Sequence, residues 1–124
     1  MDINEEMKQT AEKARQGTSD ILCSMKECTS DQCDKALDET REAMSKTKGI
    51  LGRAKDKLGS EAAATRETVD DFARKVEKIQ VDIDLAILDI STTVTEKSID
   101  GAEAAIKNAK RVMKRAERLV DKKK

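Results

Sequence analysis

The spacing of apolar residues is the feature that most limits what this chain can fold into. Between Leu37 and Leu119 these residues recur every three or four positions. Because an α-helix turns once in about 3.6 residues, this spacing places them along one side of a helix, ready to pack against another helix. The phase of the pattern shifts near Gly59 and near Gly101, which predicts a chain divided into several helices.

Composition also favours an all-α fold. Charged residues make up 40% of the chain, Phe72 is the only aromatic residue, and proline is absent. Strands prefer β-branched and aromatic residues, whereas this chain is built largely from Ala, Lys, Glu, Asp, Leu and Ile. We therefore expect residues 1–124 to form a single helical domain. A disordered chain is the alternative suggested by the high charge content, although a net charge of zero argues against it.

Three long helices are predicted, at about 30–58, 60–97 and 101–122. Gly59 is expected to end the first of them in a left-handed conformation, and Ser60 is expected to cap the next. Capping-box patterns mark the other two starts, at Thr29-x-x-Gln32 and at Asp100-x-x-Glu103.

The N-terminal segment, at about 2–28, fits two interpretations. It forms either one bent helix or two short helices, because Gly17 lowers helix propensity in its middle and Ser19 can cap a new start.

The segment from Ile79 to Ile90 is the most apolar part of the chain. Its alternating pattern over residues 79–87 is also typical of a strand, but a lone strand would leave its backbone groups unpaired. As a helix it has two apolar sides, which predicts a central helix packed between neighbours. The first side contains Ile79, Ile83, Ala86 and Ile90, and the second contains Val81, Leu85 and Leu88.

These segments predict an antiparallel up-down helical bundle with short loops. At 1.5 Å per residue the three long helices would measure about 43, 57 and 33 Å. The middle helix would then extend beyond its neighbours. An elongated dimer, in which that excess pairs across a two-fold axis as in a coiled coil, is therefore the alternative architecture.

The chain lacks the side chains on which most enzymes depend. With no histidine it has no ordinary general base near neutral pH and no histidine metal ligand. We expect a non-enzymatic protein without a cofactor. The acidic N-terminus does not resemble a secretory signal, and no apolar run approaches the roughly 20 residues of a membrane span, so we expect a cytoplasmic protein.

Three cysteines, Cys23, Cys28 and Cys33, are the only candidates for a metal or redox site. Successive thiols five residues apart would point about 140° from one another on a single helix, so they can converge only across a turn. Free thiols with no metal are the favoured interpretation. A disulfide and a thiolate-bound metal are the alternatives.

Positive charge is concentrated at the C-terminus, where residues 101–124 contain 9 basic and 3 acidic side chains. This helix is a candidate face for an anionic partner, such as a membrane surface. The competing explanation is internal pairing with Asp82, Asp84 and Asp89. The scarcity of aromatic residues makes a nucleic-acid partner less favoured. The candidate face consists of Lys107, Lys110, Arg111, Lys114, Arg115 and Arg118.

Three functional hypotheses follow. The first is an adaptor, scaffold or assembly subunit that binds a protein partner or itself. The second is an amphipathic protein that associates reversibly with lipid or another hydrophobic surface. The segment AKDKLGSEAAATRETVDDFARK resembles, in composition, helices of late-embryogenesis-abundant proteins, phasins and exchangeable apolipoproteins, which implies this second role. The third is a thiol-based metal or redox sensor.

Overall fold

The computed structural model describes residues 2–27 and 30–122, and this part of the chain forms four α-helices. They pack against one another as an all-α bundle, which confirms the predicted fold class. Residues 79–90 are helical, so the strand alternative is wrong. The capping box predicted at Thr29 lies outside the described residues. The helices are α1 (Ile3–Lys26), α2 (Ser30–Gly59), α3 (Arg66–Thr95) and α4 (Ile99–Lys122).

Ion pairs between helices show that neighbours run antiparallel. Along α1 and α4, Arg15 contacts Glu117 at 2.7 Å, and further along α1 Lys26 contacts the earlier residue Glu103 at 3.7 Å. Residue numbers therefore rise along α1 as they fall along α4. The same inverse order relates α2 and α3, where the paired side chains are Lys48 with Asp84 and Lys55 with Glu77.

The N-terminal segment forms one unbroken helix rather than two short ones. The Asp2 carboxylate accepts a hydrogen bond from the backbone N–H of Glu5 at 2.8 Å, which satisfies one of the free donors at the start of α1. Gly17 lies inside this helix and is buried, and Ser19 is exposed on it. Ser19 therefore does not cap a new helix.

The connection between α2 and α3 differs from the prediction. Ser60 does not cap α3, because its hydroxyl donates to the carbonyl oxygens of Asp56 and Lys57 and so closes the end of α2. No glycine among the described residues has a positive φ, so the predicted left-handed cap at Gly59 is wrong. Helix α3 begins later, at Arg66, where the Thr65 hydroxyl accepts from the N–H of Thr68 at 3.1 Å.

Because α3 starts late, it is no longer than α2. Both helices contain 30 residues, so α3 does not extend beyond α2, and it exceeds the 24 residues of α4 by only six. The excess length that suggested an elongated dimer is therefore much smaller than predicted.

The connection between α3 and α4 contains the left-handed residue. Lys97 has φ 58°, and the N–H groups of Lys97 and Ser98 donate to the carbonyls of Val94 and Thr93, both at 3.1 Å. This is the Schellman pattern of helix termination. The Ser98 hydroxyl then accepts from the N–H of Gly101 at 3.1 Å, and α4 starts at Ile99. Ser98 is thus the cap, and the predicted capping box beginning at Asp100 is wrong.

The core is built from the predicted apolar sides of the helices. Helix α3 packs on α2 and α4 and lies diagonally across from α1. It is therefore one corner of the bundle, and the predicted position of α3 at the centre is wrong. The largest side chains that are almost completely buried are Met7, Ile21, Met44, Ile50, Leu51, Ile83, Ile90 and Met113.

Candidate interaction surfaces

The second apolar side of α3 faces away from the bundle. Val81 is 57% exposed, Leu85 is 53% exposed and Leu88 is 61% exposed. These positions are four and then three residues apart, so their side chains form one continuous row on a helix. The first apolar side, opposite, is buried in the core. We call Val81, Leu85 and Leu88 the apolar row of α3.

Ion pairs on both sides of the apolar row agree with its outward direction. On one side, Asp82 accepts from Arg115 of α4 at 2.8 Å. On the other side, Asp84 accepts from Lys48 of α2 at 2.7 and 2.9 Å. The acidic side chains that flank the row are thus turned toward the neighbouring helices. The row itself is left on the outer surface.

The predicted internal pairing of basic α4 with three acidic residues of α3 is only partly correct. Asp82 pairs with α4, whereas Asp84 pairs with α2. Asp89 is exposed and makes no ion pair with any described residue. Internal pairing therefore accounts for little of the positive charge on α4.

The six basic residues predicted as an anion-binding face divide into two groups. Arg115 is turned toward α3, and Lys110 lies 3.5 Å from the Ser19 hydroxyl of α1. The other four are exposed at successive turns of the helix, and among the described residues none of them has an ion-pair partner. We call these four residues the basic row of α4: Lys107, Arg111, Lys114 and Arg118.

The cysteines do not form a cluster within the described residues. Cys23 is exposed on α1, and its thiol donates to Glu27 at 3.5 Å, which raises the pKa of that thiol. Cys33 is buried on α2, and burial raises its pKa. Raised values favour the neutral thiol over the thiolate that attacks disulfides or binds metals. Among the described residues no group of three or more histidine, cysteine, aspartate or glutamate side chains is placed to hold a metal ion, and Cys28 lies outside them.

An open groove of about 430 Å³ lies between α1 and α2. Its lining mixes charges of both signs, including Lys13, Asp20 and Lys46, with small residues such as Gly17. Because the groove is open and carries charges of both signs, it provides no enclosed set of converging groups for a cofactor.

None of the described helices has both the length and the hydrophobicity needed to cross a lipid bilayer. Comparison of the chain with protein-family models, curated proteins and solved structures gave no significant match. The two outward rows of side chains are the features of the described surface that bear on function.

Proposed function

We propose that this chain is a non-enzymatic, cytoplasmic helical-bundle protein that acts through protein–protein contacts, as an adaptor, scaffold or assembly subunit. The observation that carries the proposal is the apolar row of α3. Single exposed apolar side chains are common on protein surfaces, but contiguous ones are typical of binding surfaces. Anchors spaced by three and four residues on one helix are a recurring means by which helices recognise partners.

The packing of α3 supports this role. Val81, Leu85 and Leu88 are each more than half exposed, so most of their apolar surface is not used by the fold. Burying a side chain of this kind completely is worth roughly 1.5–3 kcal/mol. Covering the remaining half of three such side chains would therefore contribute roughly 2–4 kcal/mol to binding on this side of an interface.

Site-specific photo-cross-linking in cells that express the chain tests the proposal. Leu85 is replaced by benzoylphenylalanine, and the matched control carries the same group at Ser45, an exposed position on α2. We expect a cross-linked adduct from position 85 and none from position 45. Equal or absent cross-linking at the two positions would contradict the proposal. Thermal melting of both labelled chains checks that they remain folded.

The basic row of α4 favours a second candidate function, binding to an anionic lipid surface. Lys107, Arg111, Lys114 and Arg118 are exposed on one side of the helix, within three turns. Each basic residue near an anionic membrane contributes roughly 1 kcal/mol. Four of them therefore give a binding energy sensitive to salt, with no requirement for a membrane-spanning segment.

Sedimentation with vesicles tests this second candidate. We expect binding to vesicles containing phosphatidylserine and not to vesicles of phosphatidylcholine alone. The variant Lys107→Glu/Lys114→Glu should bind at least about tenfold more weakly. The control Lys8→Glu/Lys13→Glu makes the same charge change at exposed positions of α1 and should bind as the parent chain does. Equal loss in both variants would show that only net charge matters.

A further inference from the structure

The apolar row of α3 is the middle of a longer, regular surface. Arg74 and Lys78 precede it on the same side of the helix, and Thr92 and Thr95 follow it. All seven positions are exposed, and the steps between them alternate between four and three residues. This is the spacing by which one helix packs along another in a two-stranded coiled coil. We call these residues the α3 seam: Arg74, Lys78, Val81, Leu85, Leu88, Thr92 and Thr95.

Charge is distributed unevenly along the α3 seam. Its N-terminal end is basic, with Arg74 and Lys78, and its C-terminal end is bordered by the acidic residues Asp89 and Glu96. All four side chains are exposed, and none has an ion-pair partner among the described residues. In contrast, the flanking acids Glu77, Asp82 and Asp84 each pair with α2 or α4. Among the charged residues from Arg74 to Glu96, these four are thus the ones without an ion-pair partner in the described structure. Outside that range Arg66, Glu67 and Asp70 of α3 also have none.

We infer that the α3 seam binds the α3 seam of a second copy of this chain, antiparallel, across a two-fold axis near Leu85. This inference rests on the proposed function and names its partner. In a two-fold interface, a residue that contacts a second residue of the partner is matched by the reverse contact, and a residue at the axis contacts its own copy. An antiparallel arrangement places the basic end of each seam beside the acidic end of the other. A parallel arrangement would place like charges together, which is unfavourable.

The positions of the charges along the helix agree with such an axis. Arg74 lies eleven residues before Leu85, and Glu96 lies eleven residues after it. Each charge is therefore about 16 Å from the axis, on opposite sides. The apolar row lies between them, so its side chains would meet the same row of the second copy. Because each copy contributes a single helix, the dimer should be reversible and dependent on concentration.

Analytical ultracentrifugation of the full chain over a wide range of concentration tests self-association. We expect the mean mass to rise from that of a monomer toward that of a dimer. The variant Leu85→Asp places a charge at the centre of the seam and should remain monomeric at every concentration. Ala104→Asp adds the same charge at an exposed position of α4 and should associate as the parent chain does.

Charge exchange tests the antiparallel pairing. The variant Arg74→Glu/Lys78→Glu makes both ends of the seam acidic, and Asp89→Lys/Glu96→Lys makes both ends basic. Each variant alone should associate at least about tenfold more weakly than the parent, because like charges would then meet. An equimolar mixture should recover dimers, since each acidic end then meets a basic end of the other variant. Melting curves check that both variants are folded.

The outcomes separate this inference from the proposed function. A parent chain that is monomeric throughout overturns the inference, and cross-linking of position 85 to a different protein would then still support the proposed function. A parent dimer with no recovery in the mixture overturns the antiparallel pairing. If position 85 gives no adduct and the parent is monomeric, both proposals are wrong.

Discussion

Replacement of Gly17 by alanine should destabilise the bundle, although the same replacement normally stabilises a helix. A Cβ atom at Gly17 would overlap the Thr40 hydroxyl oxygen and would lie 3.2 Å from Thr40 Cβ and 3.3 Å from Thr40 Cα. Thr40 is 1% exposed, and its hydroxyl donates to the carbonyl of Ala36 at 2.8 Å. Helices α1 and α2 must therefore move apart to admit a methyl group.

The expected magnitude follows from two opposing effects. Alanine in place of glycine inside a helix gains about 0.5–1 kcal/mol. Overfilling a packed interior costs about 1–3 kcal/mol. We therefore expect Gly17→Ala to lower the free energy of unfolding by about 1 kcal/mol, and by no more than about 2.5 kcal/mol. Urea denaturation followed by far-ultraviolet circular dichroism measures this difference, provided that the slope of the transition is unchanged.

Gly49 provides the matched control, because it lies inside α2, is exposed and has no atom within 4 Å of an added Cβ. Gly49→Ala should raise the free energy of unfolding by about 0.5–1 kcal/mol, opposite in sign to Gly17→Ala. In the double variant Gly17→Ala/Thr40→Ala the overlapping oxygen is gone. The double variant should therefore lose about 1 kcal/mol less free energy of unfolding than the sum of the losses in the two single variants. If Gly17→Ala proves as stabilising as Gly49→Ala, the close approach of α1 and α2 is wrong.

Three further predictions concern α3, the turn after it and the thiols. At low protein concentration, Ile83→Ala should lower the free energy of unfolding by about 2–5 kcal/mol, whereas Leu85→Ala should change it by no more than about 0.5 kcal/mol. Urea denaturation measures both values. Equal losses would contradict the outward direction of Leu85. Lys97→Gly should raise the melting temperature by several degrees, because glycine adopts the left-handed conformation without the roughly 1 kcal/mol that it costs lysine. A lower melting temperature would argue against the Schellman turn. Iodoacetamide should modify Cys33 more slowly than Cys23, and both more slowly than an unfolded peptide thiol at the same pH, because their raised pKa values leave less thiolate. Peptide mass spectrometry measures the rates, and faster reaction at Cys33 would refute its burial.

The sequence predicted the helical bundle because the dominant signal was repeated many times. Along α2 the predicted apolar positions from Thr40 to Leu58 are buried, and α2 ends within one residue of its predicted end. Each position adds to the same side of the helix, so a single misplaced residue does not change the conclusion. Repetition of this kind makes a long amphipathic helix predictable from local spacing alone.

Helix ends were predicted less well because several nearby residues offer the same chemistry. Ser60 and Thr65 both carry hydroxyls able to cap α3, and the outcome depends on where α2 stops. Ser60 bonds to the end of α2, so Thr65 caps α3. Lys97 was missed for a related reason, since a lysine carries no local signal for a left-handed turn. The turn is closed by the backbone hydrogen bonds from Lys97 and Ser98 to the end of α3, which involve no side chain of Lys97.

The outward rows show a different limit of sequence patterns. Periodicity indicated correctly that α3 has a second apolar side. It does not tell whether that side packs against another helix of this chain or faces outward. The prediction assumed a neighbouring helix of the same chain, whereas α2 and α4 already cover the first side and α1 lies diagonally opposite. The exposed row adds little to the stability of the bundle, because Leu85 and Leu88 are more than half exposed. Since their contribution to folding is small, we propose that these side chains contact a surface outside this chain.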